Sequence, residues 1–300
     1  MAGGLGRGLG QTPRTDASGR AALARVLAQP TFEVLPLKNV RTQVASLPAG
    51  ARVSVTASPG KGLEATVDLA VELQAAGFAA VPHLAARMVR DRAHLADLLA
   101  RMAAGGLTRT FVVGGDAAEP GAYPDGLSLL RGIAEIGPVP AAIGVPCYPD
   151  GHPFIANDVL LAALREKAPF AAWMTTQLCF DARRITAWLA ARRAEGLVIP
   201  AMIGIAGVTE PGRLLAISAR IGVRDTRRFL AKNVALVSRV VRSGGLYRPD
   251  GLLAGLAAAA ADPALDIASV HLYTFNQVDA TEVWRREYLA GLGAEVQAPA

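Results

Sequence analysis

From Thr31 onward the chain alternates between two periods. Short β-branched runs, apolar along most of their length, are each followed by a longer Ala/Leu-rich stretch with apolar positions at helical spacing. The runs Thr31–Leu35, Arg52–Thr56, Ala79–Pro82, Thr110–Val113, Ala142–Val145, Ala172–Thr176, Leu197–Ile203 and Ile267–Thr274 predict strands. Gly62–Ala76, Asp91–Ala104, Gly126–Ala134, Asn157–Glu166 and Arg183–Glu195 predict helices between them. Asn157-Asp158 ahead of Val159, Leu160 and Leu164 reads as a capping signal for the fourth helix.

Strands that alternate with helices, and that are apolar on both faces, predict parallel βα units around a doubly covered sheet. Eight of them fit a closed (β/α)8 TIM barrel better than an open sheet. Residues 1–30 are polar and Gly-rich without a clear period, which predicts a loose tail and a short helix. Residues 31–296 then form one catalytic domain. The long interval from Ile203 to Ile267 leaves room for a further strand near Leu215–Ile221, for a distorted strand, or for an additional N-terminal one.

Composition narrows the class. The chain is 52% apolar but only 5% aromatic, so its core must be largely Ala, Leu, Val and Ile. The apolar stretches are too short to cross a bilayer, and the N-terminus MAGGLGRGLG has no apolar signal segment. Cys147 and Cys179 fit neither a disulfide framework nor a zinc motif, which suits two reduced thiols in a cytoplasmic enzyme. The net charge of +6 is scattered rather than striped, so it favours small anionic ligands and gives no sign of nucleic acid as a partner. A homo-oligomer is compatible with all of this.

The chemistry lies where a barrel would carry it, at strand ends. Glu33 stands within the apolar run FEVLP, where a carboxylate is costly unless it is used. Thr56 ends the second run, Pro82-His83 the third, Gly114-Gly115-Asp116 the fourth, and Tyr148-Pro149-Asp150-Gly151-His152-Pro153 follows the fifth. Thr176-Gln177 ends the sixth, and His271-Leu272-Tyr273-Thr274-Phe275-Asn276 the last. Asp116 would equally cap a helix, Gln177 would serve as an interior amide, and His83 and His152 as structural hydrogen-bonders. The histidines His83, His152 and His271 lack metal-ligand spacing, so no metal is expected. Gly114-Gly115 is no dinucleotide fingerprint, and it predicts instead a close approach of something to the backbone.

Taken in order, these segments resemble the methylenetetrahydrofolate reductase family over about Thr31–Asn276. The carriers are FEVLP at Phe32–Pro36, VSVT at Val53–Thr56, PHL at Pro82–Leu84 and GGD at Gly114–Asp116. YPDGHP at Tyr148–Pro153, TQLCFD at Thr176–Asp181, IPAMIGI at Ile199–Ile205 and HLYTFN at His271–Asn276 complete the set. The resemblance implies a reductase that converts 5,10-methylenetetrahydrofolate to the 5-methyl form with hydride from NAD(P)H through bound FAD. It gives Glu33 the role of general acid and Asp116 that of stabilising charge at N5 of the pterin. Gln177, Tyr273 and Asn276 would contact the folate. Thr56, His83, Gly114, Gly115, Asp116, Tyr148 and His152 would line the cofactor site, with Asp158, Arg165 and Lys167 toward its phosphates or adenosine.

Several positions depart from the family pattern. Gly114 stands where the family has arginine, Leu178-Cys179 where it has an aromatic pair, Asp150 where it has glutamate, and Gln277 where it has arginine. Ser218-Ala219-Arg220-Ile221-Gly222 occupies the place of a Phe-Asp-Gly stretch. Two other readings therefore stay open. One is a flavin-free relative that uses NAD(P)H directly or acts on another one-carbon substrate. The other is a non-catalytic folate-binding or regulatory partner of a one-carbon enzyme.

Overall fold

The computed structural model describes residues 15–58, 60–214 and 245–294. Eight parallel strands close into a barrel in sequence order: β1 (Thr31–Val34), β2 (Arg52–Val55), β3 (Ala79–Ala85), β4 (Arg109–Val113), β5 (Ala142–Cys147), β6 (Trp173–Thr176), β7 (Ala201–Ala206) and β8 (Ile267–Tyr273). The helices are α1 (Ala17–Ala28), α2 (Val40–Val44), α3 (Gly62–Ala75), α4 (Arg92–Ala104), α5 (Gly126–Ile136), α6 (Asn157–Lys167), α7 (Ala182–Ala194), α8 (Asp250–Ala261) and α9 (Val278–Gly291). The chain is therefore a single-domain (β/α)8 barrel.

The period of two along each strand sorts its side chains. Phe32, Val34, Val53, Val55 and Val112 point outward and join the helices in the main core. Thr31, Glu33, Arg52, Ser54, His83, Arg109, Phe111, Trp173 and His271 point into the barrel, as their mutual contacts show. Midway along the axis Val81, Phe111, Trp173 and Met202 form a separate apolar cluster. Gly144 on β5 makes room for it, because a Cβ there would overlap the Trp173 indole.

Three expectations are corrected. The capping residue of α6 is Ala156, with no side-chain cap bond, and Asn157 is already helical. The seventh strand begins at Ala201 rather than Leu197, since the chain first runs through the Pro200 segment with Leu197 and Ile199 buried. No strand precedes β1 among the described residues; a helix does, and the irregularity is a register shift between β7 and β8 at Ala201/Met202. The suggested strand near Leu215–Ile221, and Ser218–Gly222, lie outside the described residues.

The short N-terminal helix is integral to the barrel. Asp16 caps α1 by accepting from the Gly19 amide at 2.7 Å. Leu23, Val26 and Leu27 are buried, and Arg25 donates to the carbonyls of Ala260 (2.8 Å) and Ile267 (3.1 Å). From the other side, α9 sends Arg285 to the Leu27 carbonyl at 3.0 Å while its fork holds the fully buried Glu282 at 2.6 and 2.8 Å. Arg286 adds a third bond to Glu282 at 3.0 Å.

Removing one partner of such a buried pair strands the other. Arg285→Ala is expected to cost about 3–5 kcal/mol of stability, read from the midpoint of urea unfolding. A loss below about 1 kcal/mol would mean that Arg286 alone satisfies Glu282.

Candidate active site

Above the apolar cluster the barrel turns polar. Glu33 lies near the end of β1, level with Ser54 on β2 and Tyr273 on β8. Its Oε2 meets His271 Nε2 at 3.0 Å and stands 3.9 Å from His83 Nε2. The Glu33 side chain keeps 16% of its surface accessible, so the acid is sunk in the axis but reachable from the C-terminal mouth. His83 Nε2 also meets Ser54 Oγ at 2.6 Å, and its ring lies 4.9 Å from Phe111. Burial holds the His83 imidazole down at about 4; Glu33 opposes that and His271 adds to it. A neutral His83 therefore faces the acid across the physiological range.

The end of β8 is stitched over β1. Thr274 Oγ1 donates to the Glu33 carbonyl at 2.6 Å. Asn276 accepts from the Leu35 amide at 2.7 Å and donates to the Leu35 carbonyl at 3.1 Å. Phe275 and Asn276 both take positive φ, 52° and 58°, which few non-glycine residues adopt. Tyr273 OH donates to the Thr176 carbonyl at 3.0 Å, and burial beside Glu33 pushes its pKa well up. Gly204 lets this happen, since a Cβ there would run into that same carbonyl and the Tyr273 ring.

A second group gathers around the β4 and β5 ends. Asp116 is exposed; burial lowers the pKa of His152 and the Asp116 charge opposes that shift, while for Tyr148 the same charge acts in the direction of burial. For Tyr148 burial is the larger cause, and together they push the phenol up to about 12. Tyr148 and His152 meet edge to face at 5.6 Å. The Asp116 loop is shaped by Arg87, which donates to the carbonyls of Ala117 and Ala118 at 2.6 Å each. Gly115, at φ +88°, passes close over Ala85. Thr56 and Gln177 are half-buried at their strand ends, and Gln177 Oε1 accepts from the Leu178 amide at 2.9 Å.

The strand-end reading thus brings together Glu33, His83 and Tyr273 in one group, and Asp116, Tyr148 and His152 in another. Asn276 is tied to the β1 backbone. Arg165 is not brought to the mouth: it pairs at 2.8 Å with Glu195, just past the far end of α7. Lys167 ends α6, half-buried, with its pKa lowered mainly by burial. The residues that sequence reasoning missed are His271 as the direct partner of Glu33, Ser54 behind His83, and Arg87. Strand parity carried a signal for the first two, because Ser54 and His271 share the inward phase of Glu33.

A scan against protein families matches residues 36–284 to methylenetetrahydrofolate reductase. The chain belongs to the methylenetetrahydrofolate reductase family. The matched span starts three residues after Glu33, so the acid's assignment rests on its geometry and on the FEVLP segment. Among solved structures the fold is similar to a lyase or mutase from Burkholderia cenocepacia J2315, at 18% identity and TM-score 0.44, covering 92% of this chain and 85% of that one. It is also similar to a muconate cycloisomerase from Azorhizobium caulinodans, at 12% identity and TM-score 0.43, covering 83% of this chain and 55% of that one. No helix among the described residues is long and apolar enough to cross a membrane.

Members of the methylenetetrahydrofolate reductase family are generally flavin-dependent, and the residues here can be tested against that group. Gly114 replaces the family's arginine, and no atom lies within 4 Å of where its Cβ would stand. Beneath Tyr148, a groove of about 280 Å³ between α6 and α7 is lined by Leu160, Leu161, Leu164 and Trp188. Its one cation, Arg192, is already held by Glu195 at 2.6 Å, and Asp158 adds a negative charge at the groove edge. With Arg165 paired to Glu195 as well, the groove lining offers the diphosphate of a flavin dinucleotide no unpaired cation.

The depressed His83 pKa makes a stability prediction. The folded value lies below the unfolded one, so the stabilisation is present above pH 6.5 and is lost as pH falls toward 4. The full effect is roughly 3 kcal/mol. His83→Asn should flatten this part of the stability–pH curve, measured by urea unfolding at several pH values. A slope identical to that of the unmodified chain would show that the imidazole is not held neutral.

Proposed function

We propose that the chain reduces the one-carbon unit of 5,10-methylenetetrahydrofolate to the 5-methyl level, taking hydride directly from NAD(P)H. The observation that carries the reading is Glu33, an acid on the barrel axis, bonded to His271 and open toward the C-terminal mouth. The folate's five-membered ring opens when its leaving nitrogen takes a proton and N5 becomes an iminium. Glu33 supplies that proton and is left as a carboxylate beside His271. Hydride then adds to the iminium carbon, and NAD(P)H leaves oxidised. A proton from solvent restores Glu33 for the next turnover.

Asp116 is the second charge in this reading. Facing the mouth, it stabilises the positive charge that develops at N5 and accepts from the pterin's N–H groups. Gln177 offers its unbonded amide NH2 to the pterin edge. Thr56, Tyr148 and His152 form the wall against which the nicotinamide ring rests. Burial of His83 and Tyr273 keeps water from the axis below Glu33, which strengthens each of these interactions.

The flavin-assisted reading keeps the family's general habit. Gly114 and the apolar α6 face favour the direct one. Two measurements test the proposal. The purified chain is expected to lack the near-ultraviolet and blue bands of oxidised flavin. Bands that bleach with NAD(P)H and return with methylenetetrahydrofolate would overturn the direct hydride step while leaving the folate chemistry standing. Glu33→Gln is expected to lower kcat by roughly 10²–10⁴-fold with folate affinity little changed. Full turnover in that variant would remove Glu33 from the mechanism, and no turnover in either form would favour a folate-binding partner.

A further inference from the structure

The opposite end of the barrel carries charges that the proposed reaction does not use. Arg52 begins β2 and Arg109 begins β4, each two residues before an inward residue, Ser54 and Phe111. Both guanidiniums therefore enter the barrel at its N-terminal mouth. Arg109 lies over the Trp173 ring at 5.7 Å, and Arg52 NH1 reaches the Thr31 hydroxyl at 3.5 Å. The two cations are close enough that Arg109 depresses the pKa of Arg52, after burial, which is the larger cause.

Among the described residues no negative charge answers these two cations. Among the described residues, no carboxylate or backbone carbonyl accepts from either side chain. Every other buried or half-buried arginine among the described residues has one: Arg87 and Arg193 bond carbonyls, and Arg101, Arg192, Arg285 and Arg286 pair with acids. Two half-buried like charges that face one mouth repel, and an anion between them relieves the repulsion. Their planar forks suit an oxyanion, which can accept two bonds from each. Within the Val81, Phe111, Trp173 and Met202 cluster, Trp173 and Phe111 stand between Arg109 and His83.

We propose that the N-terminal mouth of the barrel is a binding site for a small oxyanion of the phosphate class, clasped between Arg52 and Arg109 on a floor of Trp173 and Thr31. The source of the phosphate group is either the free ion or a nucleotide monoester. Only the guanidinium–oxyanion chemistry is common to both.

Thermal unfolding of the full chain tests the site, with inorganic phosphate as the probe and sodium chloride at matched ionic strength as the control. Phosphate at about a hundred times its Kd is expected to raise Tm by roughly 5 °C or more. The R52Q/R109Q double variant is expected to lose that rise. Without phosphate, each single variant should melt at or above the unmodified chain, because the repulsion is gone; phosphate should reverse the order. AMP that reproduces the rise identifies a monoester as an acceptable source, and inert AMP limits the site to the free ion. A rise that persists in the double variant would locate the ion elsewhere, and no rise with either probe would mean there is no site. If the variants fail to fold, modification of the unmodified chain by phenylglyoxal, read by mass spectrometry, keeps the question decidable. Phosphate should protect Arg52 and Arg109 selectively, and equal labelling with and without it overturns the proposal.

Discussion

A carboxylate on the axis of a closed barrel constrains everything around it. The Glu33 side chain keeps only 16% of its surface accessible, so the protein must supply most of its partners, at a cost of several kcal/mol if it does not. His271 does so directly, and the stitching of β8 to β1 fixes where His271 stands. That stitching requires two successive residues at positive φ, Phe275 and Asn276, each costing about 1–3 kcal/mol of backbone strain. The bonds from Thr274 and Asn276 to β1, each worth about 1 kcal/mol net, are the local return. Strain and local return are thus of similar size, so the turn is held by its bonds to β1, and it begins two residues after Tyr273, which pairs with the acid's position on β1.

The interior is therefore layered by chemistry along its axis. Cations stand at the N-terminal mouth, an apolar cluster above them, the acid and its histidines next, and Asp116 at the rim. The apolar layer does two things at once. It fills the axis below the acid's histidines with apolar side chains. It also stands between Arg109, which lies over the Trp173 ring, and His83, which meets Phe111.

Most of the barrel was legible because periodicity reports burial, and burial decides where a strand's two faces go. Glu33, His83 and Asp116 were legible because each interrupts a pattern: an acid in an apolar run, a histidine at a strand end, an aspartate behind two glycines. Arg165 shows what spacing leaves out: it stands in the last turn of α6, and nothing in the sequence says that Glu195, just past α7, will pair with it. His271 and Ser54 could have been found by counting strand parity from Glu33. Arg87 could not, because its partners are carbonyls of a loop with no pattern of its own.

In the proposed reading, what separates this chain from a flavoprotein of its family is a question of affinity more than of chemistry. A cofactor that stays with its protein needs a Kd near the nanomolar range, about −12 kcal/mol, whereas a co-substrate that leaves each turnover works at micromolar to millimolar levels, about −8 to −4 kcal/mol. The gap of roughly 4–8 kcal/mol is what two or three fixed charge-assisted bonds to a diphosphate would provide, at about 1.5–3 kcal/mol each. Gly114, the leucines of α6 and the Glu195-bound arginines remove bonds of that kind. Glu33, His271 and Asp116 are left intact. On the proposed reading, such a barrel keeps the acid that opens the substrate ring and gives up the grip on a resident dinucleotide, and hydride arrives on a molecule that binds weakly and departs.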